Sequence, residues 1–347
     1  MKSIEETEEN TAKNTIPYWK LGFLILVGSS LLAYAVWYRL VVIFRPFEYQ
    51  VPLHFFNPAM IKKIGCIPNE IEIGLHLQEF KTFDIIKNDF SFFGIVWFSF
   101  DPDTVFIDVL SKFDFLSATI DYKSPPIISI VNDKIVVKYY VRVSLSPQLT
   151  YVDFPLDDHY INLTLINIDL ASSDVLFQST YNNVIVSANL LQIGWDLVDR
   201  NVRAGYIELK LDTIDQQKTT TFPAVTFTFG YSRLNIRDFI TLMMPLLLIF
   251  HIILFTAVLA TESSLFIIPG AVMAMLGYRF VIDAISPHVG YFMLIDTFFI
   301  ICLFSATLIL FIKMIETSGW YISPKLVTII SILLYIFMIV RLIFLII

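Results

Sequence analysis

Apolar positions fall into two kinds of run along this chain. One kind is long and unbroken. A bilayer core about 30 Å thick is crossed by roughly 20 apolar residues in a helix, and five segments reach that length. They are Leu21–Phe44, whose one charge is Arg39; Phe239–Ala260, polar only at Thr241, His251 and Thr256; Leu265–Ile285, carrying Arg279 and Asp283; Tyr291–Ile312, with Asp296 near its start; and Leu326–Ile347, with Arg341 near its end. The second kind occupies residues 45–236, where apolar and polar residues alternate at period two. Glu70–Leu77, Phe90–Phe100, Lys134–Leu145, Ile161–Leu170, Tyr206–Leu211 and Ala224–Tyr231 are the clearest runs. Broken by Asp-Pro, Asn-Asp and Ser-Pro turns, with no amphipathic helix between them, they predict an antiparallel β-sandwich.

The connections among the last four apolar segments are short: Thr261–Ser264, Ser286–Gly290 and Lys313–Lys325. Short links force antiparallel neighbours, so the expected architecture is a four-helix transmembrane bundle over residues 237–347. Lysines at both ends of Lys313–Lys325 favour the cytoplasmic side. That orientation exports Ser286–Gly290, the C-terminus and the 45–236 domain. Residues 1–44 form a leader and first apolar segment with two readings. Ala33-Tyr34-Ala35 has the small-residue pattern of a signal-peptidase site. The run nevertheless continues to Phe44, and the leader carries Glu5, Glu6 and Glu8 rather than a basic cluster, which suits an uncleaved anchor. Both readings export the middle domain.

Composition narrows the function classes. The chain has 347 residues, of which 56% are hydrophobic and 16% charged, against about a quarter charged in an ordinary soluble domain. A net charge of −7 offers no basic field for nucleic acid. Cys66 and Cys302 lie in different kinds of segment, so neither an intrachain disulfide nor a thiolate metal site is expected. His54, His76, His159, His251 and His288 form no ligand-spaced cluster, and no cofactor motif is present. An exported, membrane-tethered enzyme is disfavoured because no nucleophile–base or metal constellation stands at recognisable spacing.

Several separated motifs carry a resemblance. Phe154-Pro155-Leu156-Asp157 is similar to an F-P-x-D signature loop, with Pro147 and Ile161 where two loop cysteines would stand. Phe222-Pro223-Ala224-Val225-Thr226-Phe227-Thr228-Phe229 followed by Arg233 resembles a last strand with its pre-membrane arginine. Pro245 sits where a first-helix proline is expected. Pro287-His288-Val289-Gly290-Tyr291, then Ile295-Asp296, resembles a loop between second and third helices, and Glu262 to Pro287 has the matching spacing. Together, over about residues 60–347, they resemble the pentameric ligand-gated ion channels of the Cys-loop receptor superfamily, in the bacterial type that lacks the loop disulfide. The resemblance implies a homopentamer in a bacterial inner membrane, with residues 45–236 on the periplasmic side. It implies gating by a small extracellular ligand or by protons, and permeant monovalent cations. The first apolar segment, if retained, is an addition to that plan.

On a helix, Glu262, Phe266, Gly270, Met273, Gly277, Phe280 and Ala284 share one face at steps of three and four, which the resemblance makes pore-lining. A Glu262 ring would select cations; equally, Glu262 suits a helix start because negative charge complements the dipole there. Phe266, Met273 and Phe280 would form apolar constrictions that gate by dewetting, or a face that does not conduct. The alternative function is therefore a non-conducting receptor-like or scaffold protein of the same fold. Pro269 suggests a kink. Arg279 and Asp283, spaced i, i+4, can pair near the outer mouth, and Arg341 can snorkel. By resemblance, Asp157 pairs with Arg233, and Phe154, Pro155, Pro287 and His288 complete a coupling or structural junction. The ligand is not identified. The expected place is under a hairpin tipped by Thr213–Lys218, and Tyr181 and Trp195 do not assemble an aromatic box, Trp195 reading better as core. His159 and His288 are the histidines that could titrate near neutral pH. Asn162-Leu163-Thr164 is a glycosylation sequon inside a predicted strand and is discounted.

Overall fold

Alternation becomes strand wherever one face can be buried. The computed structural model describes residues 27–28, 30–31, 34, 53–55, 68–187, 194–209, 220–233, 236–257, 259–320 and 322–344. In β1 (Asn69–Asp84) the inward positions Ile71, Ile73, Leu75 and Leu77 are all 0% exposed. The same every-second-residue burial runs through β2 (Asp89–Phe100) and β6 (Lys134–Leu145). A single-turn helix, α1 (Ile107–Leu110), follows β2. The shorter strands are β3 (Asp114–Leu116), β4 (Ala118–Lys123) and β5 (Ile127–Val131). β5 and β6 meet at Asn132-Asp133, both at positive φ, 50° and 62°, as a two-residue hairpin turn requires. Then come β7 (Asp158–Ile166), β8 (Val175–Gln178), β9 (Val184–Val186), β10 (Trp195–Leu209) and β11 (Thr220–Arg233).

The strands form two sheets. One has the order β4-β6-β2-β1-β8, with β5 on β6 and β9 on β1; the other has the order β10-β11-β7-β3. The expectation of a purely antiparallel sandwich needs one correction, because β8 and β9 both pair parallel with β1. The chain leaves β7 in one sheet and returns along the outer side of β1 in the other, so it arrives in the same direction as β1. Aromatic edges join the sheets: Tyr231 lies 5.0 Å from Phe83 and 6.2 Å from Phe80, and Phe92 lies 6.3 Å from Phe115. Tyr231 is 2% exposed, and burial pushes its phenol far above the ordinary 10.0. A raised folded-state value contributes stability that is complete below pH 10 and lost as pH rises past it. Tyr231→Phe is expected to flatten the alkaline decline of stability, as read from unfolding midpoints on either side of pH 10.

Four helices follow: α2 (Ile236–Thr256), α3 (Thr261–Ile285), α4 (Leu294–Thr317) and α5 (Pro324–Phe344). α2, α3 and α4 pack pairwise, and α5 packs on α4. α3 and α4 are long and apolar enough to cross a membrane, whereas the described side chains of the other two give shorter apolar stretches, Ile240–Thr256 and Leu326–Val340. Pro245 lacks the N–H that would bond Thr241, and the Tyr278 hydroxyl of α3 donates to that carbonyl at 2.7 Å.

Two compact units result: Pro46–Thr150 with Asp158–Leu234, and Met1–Arg45 with Tyr151–Asp157 and Asn235–Ile347. The loop Tyr151–Asp157 thus groups with the helices although it joins β6 to β7. Several expected boundaries shift. Thr261–Ser264, expected as a link, is the first turn of α3, where Glu262 complements the positive end of the helix dipole. Lys313, expected as a loop lysine, lies inside α4 and is 4% exposed, so it is not a solvent-facing topology signal. The Thr213–Lys218 tip, Cys66, the side chain of Arg341 and most of the leading segment lie outside the described residues.

Candidate functional site

α3 divides into two faces. Ser264, Ile268, Ala271, Met275 and Ile282 are buried against its neighbours. Glu262, Phe266, Gly270, Met273, Gly277, Phe280 and Ala284 are all exposed; Phe266 is 84%, Met273 70% and Phe280 77% accessible. A Cβ added to Gly270 or Gly277 would meet nothing within 4 Å. One chain alone therefore leaves three large apolar side chains in a line, with Glu262 in the first turn at one end.

At that end a polar clamp holds the α2–α3 turn. Lys313 Nζ donates to the Leu259 carbonyl at 3.0 Å and to Glu316 Oε2 at 3.1 Å, and Thr261 Oγ1 donates to the same Glu316 oxygen at 2.9 Å. Ser264 Oγ donates to Thr256 O at 2.7 Å. Sequence reading missed this clamp because its members come from three separate segments.

At the other end Arg279 is the centre. Its Nη2 lies 2.9 Å from Asp283 Oδ1, the i, i+4 pair expected from spacing. Its Nη1 also pairs with Asp296 of α4, which the spacing did not reveal. The Asp296 side chain is 9% exposed against 49% for Asp283. Asp296 Oδ2 accepts the Met293 N–H at 2.9 Å, so one carboxylate caps α4 and binds the arginine. The Arg279 guanidinium stands 5.5 Å from the Phe299 ring centre.

The loop Tyr151–Asp157 meets the start of α4. The first amides of a helix have no partner within it. Here Leu294 N–H donates to Val152 O at 2.7 Å and Ile295 N–H to Phe154 O at 3.3 Å. Tyr151 N–H donates to the Tyr291 hydroxyl at 2.8 Å. Phe154 and Asp157 are 1% and 2% exposed, and the Phe154–Pro155 bond is cis. The hydrogen bonds to this loop come from Tyr291, Leu294 and Ile295, which were not among the residues expected there; of the expected pair, Pro287 is buried and His288 exposed. Tyr291→Phe removes one acceptor, a loss of about 1 kcal/mol. Hydrogen exchange at the Tyr151 amide is expected to quicken by roughly fivefold, with the Leu294 amide unchanged.

In the β unit, Asp158 ties the end of β11: its Oδ1 accepts Ser232 Oγ at 2.7 Å and Arg233 N at 3.3 Å. The Arg233 guanidinium lies 4.5 Å over Trp195, whose ring is 5.5 Å from His159. His159 is 0% exposed, so of the two histidines considered as proton acceptors only His288 meets solvent. The Arg200 guanidinium lies 4.3 Å over one face of the Tyr181 ring, which is 53% exposed. Asn162 Oδ1 accepts from Thr228 Oγ1 at 2.7 Å within the sheet, which agrees with discounting the sequon. A surface cavity of about 490 Å³ is lined by Asp89, Ser117, Ala118, Thr119, Ser144, Leu145 and Ser146; it is polar, and sequence reading did not point to it. Among the described residues no group of His, Cys, Asp and Glu is arranged to hold a metal ion. No protein-family model matches the chain, and no curated protein matches it.

Proposed function

We propose that the protein is a homopentameric ion channel of the Cys-loop-like type, with α2–α5 as a transmembrane bundle, residues 45–236 exported, and α3 lining the pore. The observation that carries this reading is the division of α3. All seven positions at steps of three and four are exposed while the opposite positions of the same helix are buried. A helix long and apolar enough to cross a membrane, with one face left uncovered by its own chain, suits assembly around an axis. Glu262, the one charged member of that face, is the selecting group for monovalent cations. Docking of the Tyr151–Asp157 loop on the start of α4 supports a coupling role for Phe154, Pro155 and Asp157, with Arg233, Pro287 and His288 as the remaining members. A small extracellular ligand, or protons, would act by binding the open and closed states with different affinity.

The exposed Phe266, Met273 and Phe280 favour one second reading, a non-conducting receptor of the same build. Native mass and images of the particle down its axis test the assembly, and any number other than five ends the channel reading. Planar-bilayer recording from acid to neutral pH and with small amines tests conduction. Absence of current, also after Phe266→Ala and Met273→Ala, selects the second reading.

A further inference from the structure

The first apolar segment, residues 21–44, suits either a retained anchor or a cleaved signal peptide by sequence. Its described positions Val27, Gly28, Ser30, Leu31 and Tyr34 are helical. Val27, Leu31 and Tyr34 are 38%, 52% and 60% exposed, whereas Gly28 is buried. The Tyr335 ring of α5 stands directly against it. A Cβ at position 28 would stand 2.8 Å from Tyr335 Cε1 and 3.0 Å from Cδ1, closer than carbon atoms approach. The ring has little room to withdraw. It is 4% exposed, with Phe250 at 5.5 Å and His251 at 5.6 Å, both from α2. His251 is itself fixed, since its Nδ1 lies 2.6 Å from the Leu247 carbonyl and can only donate to it. Phe250 is 0% exposed.

A second close approach follows downstream, within the β unit. His54 N–H donates to Tyr206 O at 2.9 Å and Tyr206 N–H to His54 O at 2.9 Å, so this segment extends the β10 edge of its sheet. The His54 ring stacks on Tyr206 at 5.4 Å, and Leu53 packs on Ile166, Ile207, Phe222 and Ala224. Gly205 permits it, because a Cβ there would lie 2.3 Å from His54 O. Residues 53–55 therefore lie along the β10 edge, with His54 pairing backbone groups of Tyr206 that an open edge would leave exposed.

We infer that the mature protein keeps its first apolar segment as an additional helix seated on α5, with Gly28 as the notch that receives Tyr335. The chain thereby covers part of α5 with its own sequence. Glycine is the worst ordinary helix residue and alanine the best, so the two possible environments of position 28 give opposite signs. In a free helix Gly28→Ala raises the unfolding midpoint; in the notch it lowers it.

The test uses the full-length protein in detergent. Its intact mass is expected to be that of the whole chain, 40.0 kDa. Gly28→Ala is expected to lower the midpoint by several degrees, and Gly28→Leu by more. In a Tyr335→Ala background the same substitutions are expected to be neutral or stabilising, a sign reversal that marks direct coupling. If Gly28→Leu yields no folded protein, the Gly28→Leu/Tyr335→Ala pair is expected to recover it. A product lacking the residues up to Ala35 overturns the inference. So does a Gly28→Ala midpoint that rises, or one that responds identically with and without Tyr335. None of these readouts depends on conduction or on subunit number.

Discussion

Arg279→Met is expected to destabilise the helical unit by about 3–5 kcal/mol, the cost of leaving a buried charge without its partner. The charge left behind is Asp296, whose side chain is 9% exposed. Its compensation after the substitution would be the Met293 amide at 2.9 Å and the helix start it caps, and a helix dipole returns only about 0.3–1 kcal/mol. The other carboxylate of the cluster behaves differently. Asp283 is 49% exposed, and an exposed pair is worth about 0–1 kcal/mol, so Asp283→Asn is expected to be nearly silent. Adding Asp296→Asn to Arg279→Met removes the stranded charge while keeping an oxygen for Met293, and is expected to recover most of the loss. Equilibrium unfolding of the three variants gives the order directly. Equal costs for Arg279→Met and Asp283→Asn would show that Asp296 is solvated, and would remove the arginine as the tie between α3 and α4.

The contrast between those carboxylates also shows what a sequence can and cannot carry. Asp283 was legible because its spacing from Arg279 is fixed by the helix itself. Asp296 was not, because it reaches Arg279 only through a turn whose geometry depends on the Tyr151–Asp157 loop. Hydropathy began the next helix at Tyr291; the structure begins it at Leu294, where carbonyls of Val152 and Phe154 receive the first amides. A cap that distant leaves no mark on local composition. Lys313 misled for the opposite reason. A lysine at the end of an apolar run reads as a flank, yet here its ammonium turns inward to Leu259 O and Glu316. In the β unit, strands buried on one face announced themselves by alternation. Ile127–Val131 did not, because four apolar residues flank a lone Ser129 and every position is exposed. The parallel placement of β8 and β9 on β1 was equally hidden, since it follows from the path between sheets and not from the residues of either strand.

The exposed face of α3 was the most legible part of the candidate site, and it supports the largest functional effect. On the channel reading, Glu262→Gln is expected to lower cation-over-anion permeability by at least about tenfold, equivalent to ~1.4 kcal/mol. A single carboxylate contributes roughly 1 kcal/mol to a monovalent ion at ~4 Å even in bulk-like water, and five would act on the same ion together. The shift in reversal potential across a salt gradient measures it, most clearly at low ionic strength where screening is weak. The helix-start reading of Glu262 makes a different demand: a stability loss of about 0.3–1 kcal/mol and no change in selectivity. Phe266 stands one turn further along the same face and is 84% exposed. Phe266→Ala is therefore expected to raise conductance without moving the reversal potential, because it removes apolar width and no charge. If Glu262→Gln leaves the reversal potential unmoved in a channel that conducts, selection lies elsewhere and Glu262 keeps only its role at the start of α3. If both substitutions leave a silent protein silent, the apolar line of Phe266, Met273 and Phe280 is a packing surface, and α3 binds its neighbours without forming a path between them.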